Sequence, residues 1–177
     1  MLKNTETSYG LVAKAMHWVM AALIIALIAI GYYMTSLEPS DDKWYIYTMH
    51  KSTGVLFLIL ILMRIIFLFL STQPKLQSKA PSWSIALASI NVFLLYFLML
   101  AQPLVGFLGS LTAGRDVSFY NIFTIKAFGE YKQISSILWN MHSILPYLLI
   151  ACIVAHLLGA LYHQFFLKDN IMRRMWG

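Results

Sequence analysis

Three long stretches without a charged side chain limit the fold of this sequence more than any other feature. They cover residues 15–37, 80–114 and 133–167. A helix crosses a bilayer with about 20 mostly apolar residues, so each stretch is long enough to span a membrane. Charged residues make up 11% of the chain and hydrophobic residues 60%, whereas soluble domains carry about 25% charged residues. We therefore expect an all-α, multi-pass membrane protein.

The apolar pattern divides the chain into four predicted transmembrane helices. Their approximate ranges are 11–37, 44–70, 83–111 and 133–167. Turn-forming and polar residues separate these runs, and the connector before the fourth run is rich in aromatic side chains but too polar to span. We expect a single four-helix bundle domain over residues 1–177, without a soluble domain.

The distribution of basic residues predicts the orientation of the bundle, because cytoplasmic segments are enriched in Lys and Arg. One side carries eight basic residues: Lys3, Lys14, Arg64, Lys75, Lys79, Lys168, Arg173 and Arg174. The other side carries five: Lys43, Lys51, Arg115, Lys126 and Lys132. Both termini are therefore expected on the cytoplasmic side. Since the basic residues are scattered singly, without a run or a basic helix face, we expect no nucleic-acid partner.

The five histidines all lie in or near the apolar runs: His17, His50, His142, His156 and His163. Ionisable side chains inside a membrane are costly and face the bundle interior, a ligand or a cavity. His142 and His156 are 14 residues apart, which is about 21 Å and close to four turns of one helix face. With the N-terminus inside, His50 lies at the depth of His142 near the outer end. His17, near the inner end, is then the only candidate partner for His156.

Two histidine pairs stacked across a membrane are typical of two b-type haems, each held by axial imidazoles from different helices. Zinc fits less well, because its sites take three or four ligands with help from Cys or carboxylates. The single cysteine, Cys152, excludes covalent haem attachment through a Cys-x-x-Cys-His motif. A proton relay is the remaining alternative, but the four spans contain no Asp or Glu to partner the imidazoles.

The inner pair requires an unusual fourth helix. His156 lies 12 residues before Lys168, or about 18 Å along a helix, whereas His17 lies only 3 residues after Lys14. The depths match only if the fourth helix tilts strongly or projects beyond the bilayer. An amphipathic extension through Tyr162, Phe165 and Phe166 favours projection.

Three further polar residues have two interpretations each. Arg64 either reaches the interface with its charged end or pairs with a haem propionate. His163 either makes an interfacial hydrogen bond or contacts a propionate or a quinone. Lys51, next to His50, either belongs to a mixed solvated surface or attracts an anionic substrate to the outer face.

Glycine and proline positions fit a bundle that encloses a cofactor. Gly54 and Gly159 follow His50 and His156 by about one turn, and each removes a side chain where a porphyrin would lie flat. Pro146 has no N–H to donate to the carbonyl of His142. Its effect is either a plain helix kink or a reorientation of that ligand.

These residues and several short motifs resemble the bacterial cytochrome b561 family, whose members are four-helix, di-haem membrane proteins. The resemblance covers nearly the whole chain. Its matching pieces are Ala15-Met16-His17-Trp18, His50-Lys51-Ser52-Thr53-Gly54, Arg64, Pro103-Leu104-Val105-Gly106, His142, His156, Gly159-Ala160-Leu161-Tyr162-His163, Lys168-Asp169-Asn170 and Arg173-Arg174-Met175.

The resemblance implies a location in the bacterial inner membrane, with His17, His50, His142 and His156 as axial ligands of two haem b groups. It also implies electron transfer between a membrane quinone and a second partner. The best-defined members of the family are similar to superoxide:ubiquinone oxidoreductases, so we expect an oxidoreductase that passes electrons from periplasmic superoxide to ubiquinone. The alternative is a wiring subunit between the quinone pool and a docked hydrogenase or reductase, with the aromatic segment 119–128 as its docking patch.

Overall fold

The computed structural model describes residues 1–74, 80–169 and 172–176 of the chain. Lys75, Lys79 and Asn170, which entered the topology and family arguments, lie outside those residues. The main elements are α1 (Leu11–Ser36), α2 (Asp41–Leu70), α3 (Ser82–Thr112), β1 (Val117–Phe119), β2 (Phe123–Ile125), α4 (Lys132–Tyr162) and α5 (Arg173–Trp176). A π-helical turn, His163–Leu167, directly continues α4.

Four of these helices are long and apolar enough to cross a membrane, which confirms the predicted four-span helical bundle. The second helix begins at Asp41, three residues before the predicted start. The side chain of Ser40 accepts a hydrogen bond from the backbone N–H of Lys43 at 3.2 Å. Asp41 and Asp42 occupy the first helical turn, where carboxylates interact favourably with the helix dipole. The acidic segment 38–42 between the first two predicted helices is therefore partly the capped start of α2.

A small apolar layer fills the middle of the bundle. Its buried members come from all four long helices: Met20, Ile24, Leu27, Phe57, Ile61, Leu95, Leu98 and Leu149. Many other large apolar side chains point outward and are exposed, as expected of helices surrounded by lipid. In sequence, this layer lies between His17 and Gly31 on α1 and between His142 and His156 on α4. It therefore separates the inner from the outer histidines.

Both termini lie at one end of the bundle, which we call the inner end. The side chain of Asn4 donates a hydrogen bond to the hydroxyl of Ser71 at the end of α2, at 3.3 Å. The indole N–H of Trp18 donates to the carbonyl of Met175 in α5, at 3.1 Å. The N-terminal segment and α5 therefore cover this end together.

The opposite, outer end carries a β-hairpin that the sequence did not predict. Strands β1 and β2 pair antiparallel, with Val117 opposite Ile125 and Phe119 opposite Phe123. The turn places Tyr120 and Asn121 at φ 47° and 59°, the left-handed region that twisted hairpin turns use. The aromatic connector is thus an ordered cap. Each strand has three residues, which is too short to produce a recognisable alternating pattern.

Candidate functional site

Two histidines meet at the outer end, where α2 and α4 face each other. The ring centres of His50 and His142 lie 6.5 Å apart, with an angle of 84° between the ring planes. Both side chains are partly buried, and they come from different helices. The structure therefore brings together the two residues that the depth argument paired.

The other two paired histidines meet at the inner end. The ring centres of His17 and His156 lie 6.3 Å apart, with an interplanar angle of 56°. The two residues therefore meet, and α4 with the π-helical turn continues past His156 to Leu167. The backbone of α5 accepts a hydrogen bond from Trp18, the residue after His17.

Neither pair has the ligand set of an all-protein metal site. Within residues 1–74, 80–169 and 172–176, no three His, Cys, Asp or Glu side chains are grouped closely enough to hold a metal ion. A structural zinc site needs four such ligands, and a catalytic one needs three. Two facing imidazoles instead suit a metal ion held within a cofactor, because the cofactor supplies the remaining ligands.

The hairpin is fastened to α2 directly after His50. The hydroxyl of Ser52, which is fully buried, donates to the carbonyl of Ser118 at 2.8 Å and accepts from the backbone N–H of Tyr120 at 3.2 Å. The hydroxyls of Thr53 and Tyr120 lie 2.8 Å apart. These contacts hold the cap against the turn of α2 that carries the outer pair.

Two lysines and one aspartate shape the charge of the outer end. Lys51 donates from Nζ to the backbone carbonyl of Asp116 at 3.2 Å. The carboxylate of Asp116 pairs with Lys126 at 2.7 Å and accepts from the backbone N–H of Ala127 at 2.9 Å. The hydrogen bond from Lys126, together with that from Ala127, holds the pKa of Asp116 below its usual value. One acid of the mixed surface is thus matched by one base, and Lys51, the residue after His50, bonds to the backbone of the cap.

Arg64 lies near the inner end and links three helices. Its Nε donates to the hydroxyl of Tyr96 on α3 at 3.0 Å, and its Nη1 lies 3.5 Å from the carbonyl of Ala13 on α1. The guanidinium carbon lies 5.8 Å from the centre of the Tyr96 ring. Arg64 therefore does not simply reach for solvent, and the sequence contained no signal for its tyrosine partner.

His163 is buried in the π-helical turn and lies within hydrogen-bonding distance of Asp169. Its Nδ1 lies 2.7 Å from the carboxylate of Asp169, and the two side chains are 8% and 6% exposed. The backbone N–H of His163 still bonds to the carbonyl of Gly159 in α4, so the π-helical turn changes the helix only after His163. Next to it, a cavity of about 290 Å³ is lined by Leu161, Gln164, Phe165, Met172, Arg173 and Trp176.

The sequence of this four-helix bundle matches a known protein family. Residues 8–177 match the family model described as prokaryotic cytochrome b561. The chain belongs to this family. Cytochrome b561 proteins are membrane-spanning electron-transfer proteins with b-type haem, and this chain is therefore a multi-pass bacterial member of that class.

Curated relatives extend along almost the full chain. Cytochrome b561 homolog 2 of Escherichia coli (strain K12) is 29% identical over 98% of this chain and 94% of its own length. Cytochrome b561 homolog 1 of the same organism is 25% identical over 90% of this chain and 92% of its own. The Yersinia pestis protein named "Probable superoxide oxidase CybB" is 26% identical over 94% of each chain.

The histidine geometry fits the haem that cytochrome b561 proteins carry. Two imidazoles on opposite sides of an iron, with metal–nitrogen bonds of about 2 Å, place their ring centres about 6 Å apart. The observed separations are 6.5 Å and 6.3 Å. Beside them, a Cβ added at Gly54 or Gly159 would meet no heavy atom within 4 Å. The residues present therefore fit a flat macrocycle at each pair.

Gln102 on α3 is the site residue that sequence reasoning missed. Its side-chain Nε2 donates to the backbone carbonyl of His142 at 3.1 Å, and its own backbone carbonyl lies 3.1 Å from Nδ1 of the same ring. The proline at 146 signalled that the carbonyl of His142 needs a new donor. Nothing in the sequence indicated which helix supplies it.

Proposed function

We propose that this cytochrome b561 protein binds two haem b groups and conducts electrons between the two sides of the bacterial inner membrane. His50 and His142 are the axial ligands of the outer haem, and His17 and His156 are those of the inner haem. The observation that carries this proposal is the pair of His–His contacts at opposite ends of one bundle, at 6.5 Å and 6.3 Å. The 14-residue spacing on α4 sets the two levels about 21 Å apart.

Each bound haem supplies one-electron redox chemistry, and the chain supplies the ligands and their surroundings. On this proposal, one ring nitrogen of each imidazole would hold the haem iron. The apolar layer between the two levels excludes water from the middle of the bundle. Lipid surrounds the exposed apolar faces of the four spans.

The electron donor that we propose is periplasmic superoxide at the outer end. Superoxide is an anion, and a positive surface concentrates anions and raises their association rate. Lys51 follows His50 directly and is bonded to the cap through the Asp116 carbonyl at 3.2 Å, so its charge is held beside the outer pair. The Yersinia pestis relative is named as a probable superoxide oxidase, which supports this choice of substrate.

The electron acceptor that we propose is ubiquinone at the inner end. Arg64 lies in the bundle at this level, where it is a candidate contact for a haem propionate. His163 is a candidate contact for a propionate or for the quinone, and its pairing with Asp169 at 2.7 Å leaves Nε2 as the nitrogen for that contact.

A wiring subunit is the second candidate function, favoured by one observation on the cap. Ile122, Phe123 and Phe128 expose 74%, 49% and 61% of their surface, and exposed apolar groups of this kind mark protein or membrane contacts. On this alternative, a hydrogenase or reductase docks on the hairpin and replaces superoxide as the outer redox partner.

Turnover by the purified protein separates the two functions. Superoxide from xanthine oxidase is supplied together with a short-chain ubiquinone, and quinone reduction is followed optically. The proposal predicts turnover without any added protein. It also predicts a several-fold lower rate for Lys51→Ala than for the wild type, a difference that shrinks at high salt because salt screens the lysine charge. Lys3→Ala, an exposed lysine at the inner end, is the matched control and keeps the wild-type rate. Absence of turnover in a protein that carries both haems would contradict superoxide oxidation and favour the wiring function.

A further inference from the structure

We propose that Gln102 is a positioning residue for His142, which holds the outer imidazole by replacing the backbone donor that Pro146 removes. This inference rests on the proposed role of His142 as a haem ligand. It assigns a function to a residue of α3, the one long helix that contributes no histidine to either pair.

The backbone carbonyl of His142 lacks its usual hydrogen-bond donor within α4. In an α-helix the carbonyl of residue 142 accepts from the N–H of residue 146, and proline has no N–H. The side-chain Nε2 of Gln102 donates to this carbonyl at 3.1 Å. A side chain of α3 therefore completes the backbone of α4 at the turn that begins at His142.

The backbone of Gln102 also contacts the imidazole ring of His142. Nδ1 of His142 lies 3.1 Å from the backbone carbonyl of Gln102, which can only accept. The amide Nε2 of Gln102 also lies 3.2 Å from Nδ1, in addition to its bond with the carbonyl of His142. On this proposal Nδ1 donates its proton to the Gln102 carbonyl, and Nε2 keeps the lone pair that a metal needs. A carbonyl in this position also raises the basicity of an imidazole ligand.

Helix α3 packs closely against the imidazole ring of His142. Gly106 lies one helical turn after Gln102, and a Cβ added there would lie 2.5 Å from Cε1 and 2.7 Å from Nδ1 of His142. The imidazole thus lies directly on the backbone of α3, with Gln102 on one side. Its freedom to rotate is small as long as both contacts hold.

The amide side chain of Gln102 is energetically unfavourable in one respect. In the part of the chain that the structure describes, the buried Oε1 of Gln102 has no hydrogen-bond partner. Leaving a buried acceptor unpaired destabilises the folded chain. An apolar side chain of similar size would avoid that cost but would lose the donor to His142, which is a reason for the amide at this position.

The outer pair is also asymmetric. Nδ1 of His50 is buried and has no partner among the described residues, whereas Nδ1 of His142 has the Gln102 carbonyl. The hydrogen bonds that tune the outer ligands therefore reach them through His142. A change at residue 102 is expected to act on one haem and not on the other.

Gln102→Met tests the proposal, because it keeps the side-chain length but removes the donor. We expect the full chain, purified with its haems, to show a higher midpoint potential for the outer haem. The looser ring donates a weaker Nδ1–H bond and becomes a less basic ligand. The low-spin ferric EPR signal of that haem should shift with it, while the inner haem keeps its potential. An unchanged outer potential and EPR signal would overturn the proposal, as would an equal shift of both haems.

Restoring the backbone donor provides the decisive arm. Pro146→Ala returns an N–H to the carbonyl of His142 and makes the amide of Gln102 redundant. In the double variant Gln102→Met/Pro146→Ala, the outer potential should return toward that of Pro146→Ala alone. Additive shifts of the two substitutions would overturn the proposal. Gln164→Met, which removes another amide at the inner end whose buried Oε1 has no partner among the residues that the structure describes, should leave the outer potential unchanged.

Failure of the ligand assignment has a separate signature. His142→Ala in the otherwise unchanged chain should lose the outer haem. If it keeps both haems, the assignment of His142 is wrong and the Gln102 inference fails with it. If it loses one haem but Gln102→Met shifts nothing, the ligand assignment stands and only the positioning role of Gln102 is overturned.

Discussion

The hydroxyl of Ser52, two residues after His50, donates to the carbonyl of Ser118 at 2.8 Å. Through this contact the outer β-hairpin rests on the same helical turn that carries one half of the outer pair. The cap is therefore part of the site, and its position depends on a small buried polar side chain in a transmembrane helix.

Ser52→Ala should loosen the cap. The substitution leaves the carbonyl of Ser118 and the N–H of Tyr120 without their side-chain partner, at a cost of about 1–3 kcal/mol. We expect a lower thermal unfolding temperature and faster amide hydrogen exchange in residues 117–125. Ser143→Ala is the control, because the hydroxyl of the exposed Ser143 donates to the carbonyl of Asn140 on its own helix, at 2.8 Å. Equal exchange in the two variants would contradict the role of Ser52.

Two glycines of α3 give a matched pair of substitutions. A Cβ at Gly106 would lie 2.5 Å from Cε1 of His142, whereas a Cβ at Gly109 would lie 3.5 Å from its nearest neighbour, on Leu138. Gly106→Ala should therefore displace the imidazole and weaken or abolish the outer haem signal. Gly109→Ala should keep both haems. The visible spectrum of each purified variant checks this, and an intact outer haem in Gly106→Ala would contradict the observed packing.

Open space at Gly159 should belong to the inner haem. A Cβ there meets no heavy atom of the protein within 4 Å, so Gly159→Leu should not disturb the folded chain itself. A bound porphyrin next to His156 would clash with the added side chain, and we expect loss of the inner haem with unchanged helical content by circular dichroism. Retention of both haems would place the macrocycle elsewhere.

The contacts of Asp116 with Lys126 and with the Ala127 amide in the cap should break only well below neutral pH. The lowered pKa of Asp116 means that its contribution to stability is complete above its ordinary pKa of about 3.9. That contribution is lost as the pH falls through the lower, folded-state value. We expect exchange protection of the Ala127 amide to stay constant from neutral pH down to about 4 and to fall below it. In Asp116→Asn this pH dependence should vanish; a loss of protection near neutral pH in the wild type would contradict the assignment.

Hydropathy and spacing predict the four spans, since long uncharged runs leave a chain few alternatives to crossing a membrane. The same arithmetic along α4 suggested which histidines approach each other. The partners that complete the site could not be predicted, because each comes from a different element. Pro146 indicates a carbonyl without a donor, but only the packing of α3 on α4 shows that Gln102 fills the gap. Likewise, the two short strands of the cap are stabilised by Ser52 on α2 and not by a pattern of their own.

Haem content per chain tests the central claim most directly. A pyridine haemochrome assay and a reduced-minus-oxidised spectrum would be recorded for the wild-type protein and for His17→Ala and His142→Ala. The account predicts two b-type haems in the wild type and one in each variant, with different midpoint potentials for the haem that remains. A single haem in the wild type, or two haems in either variant, would contradict it.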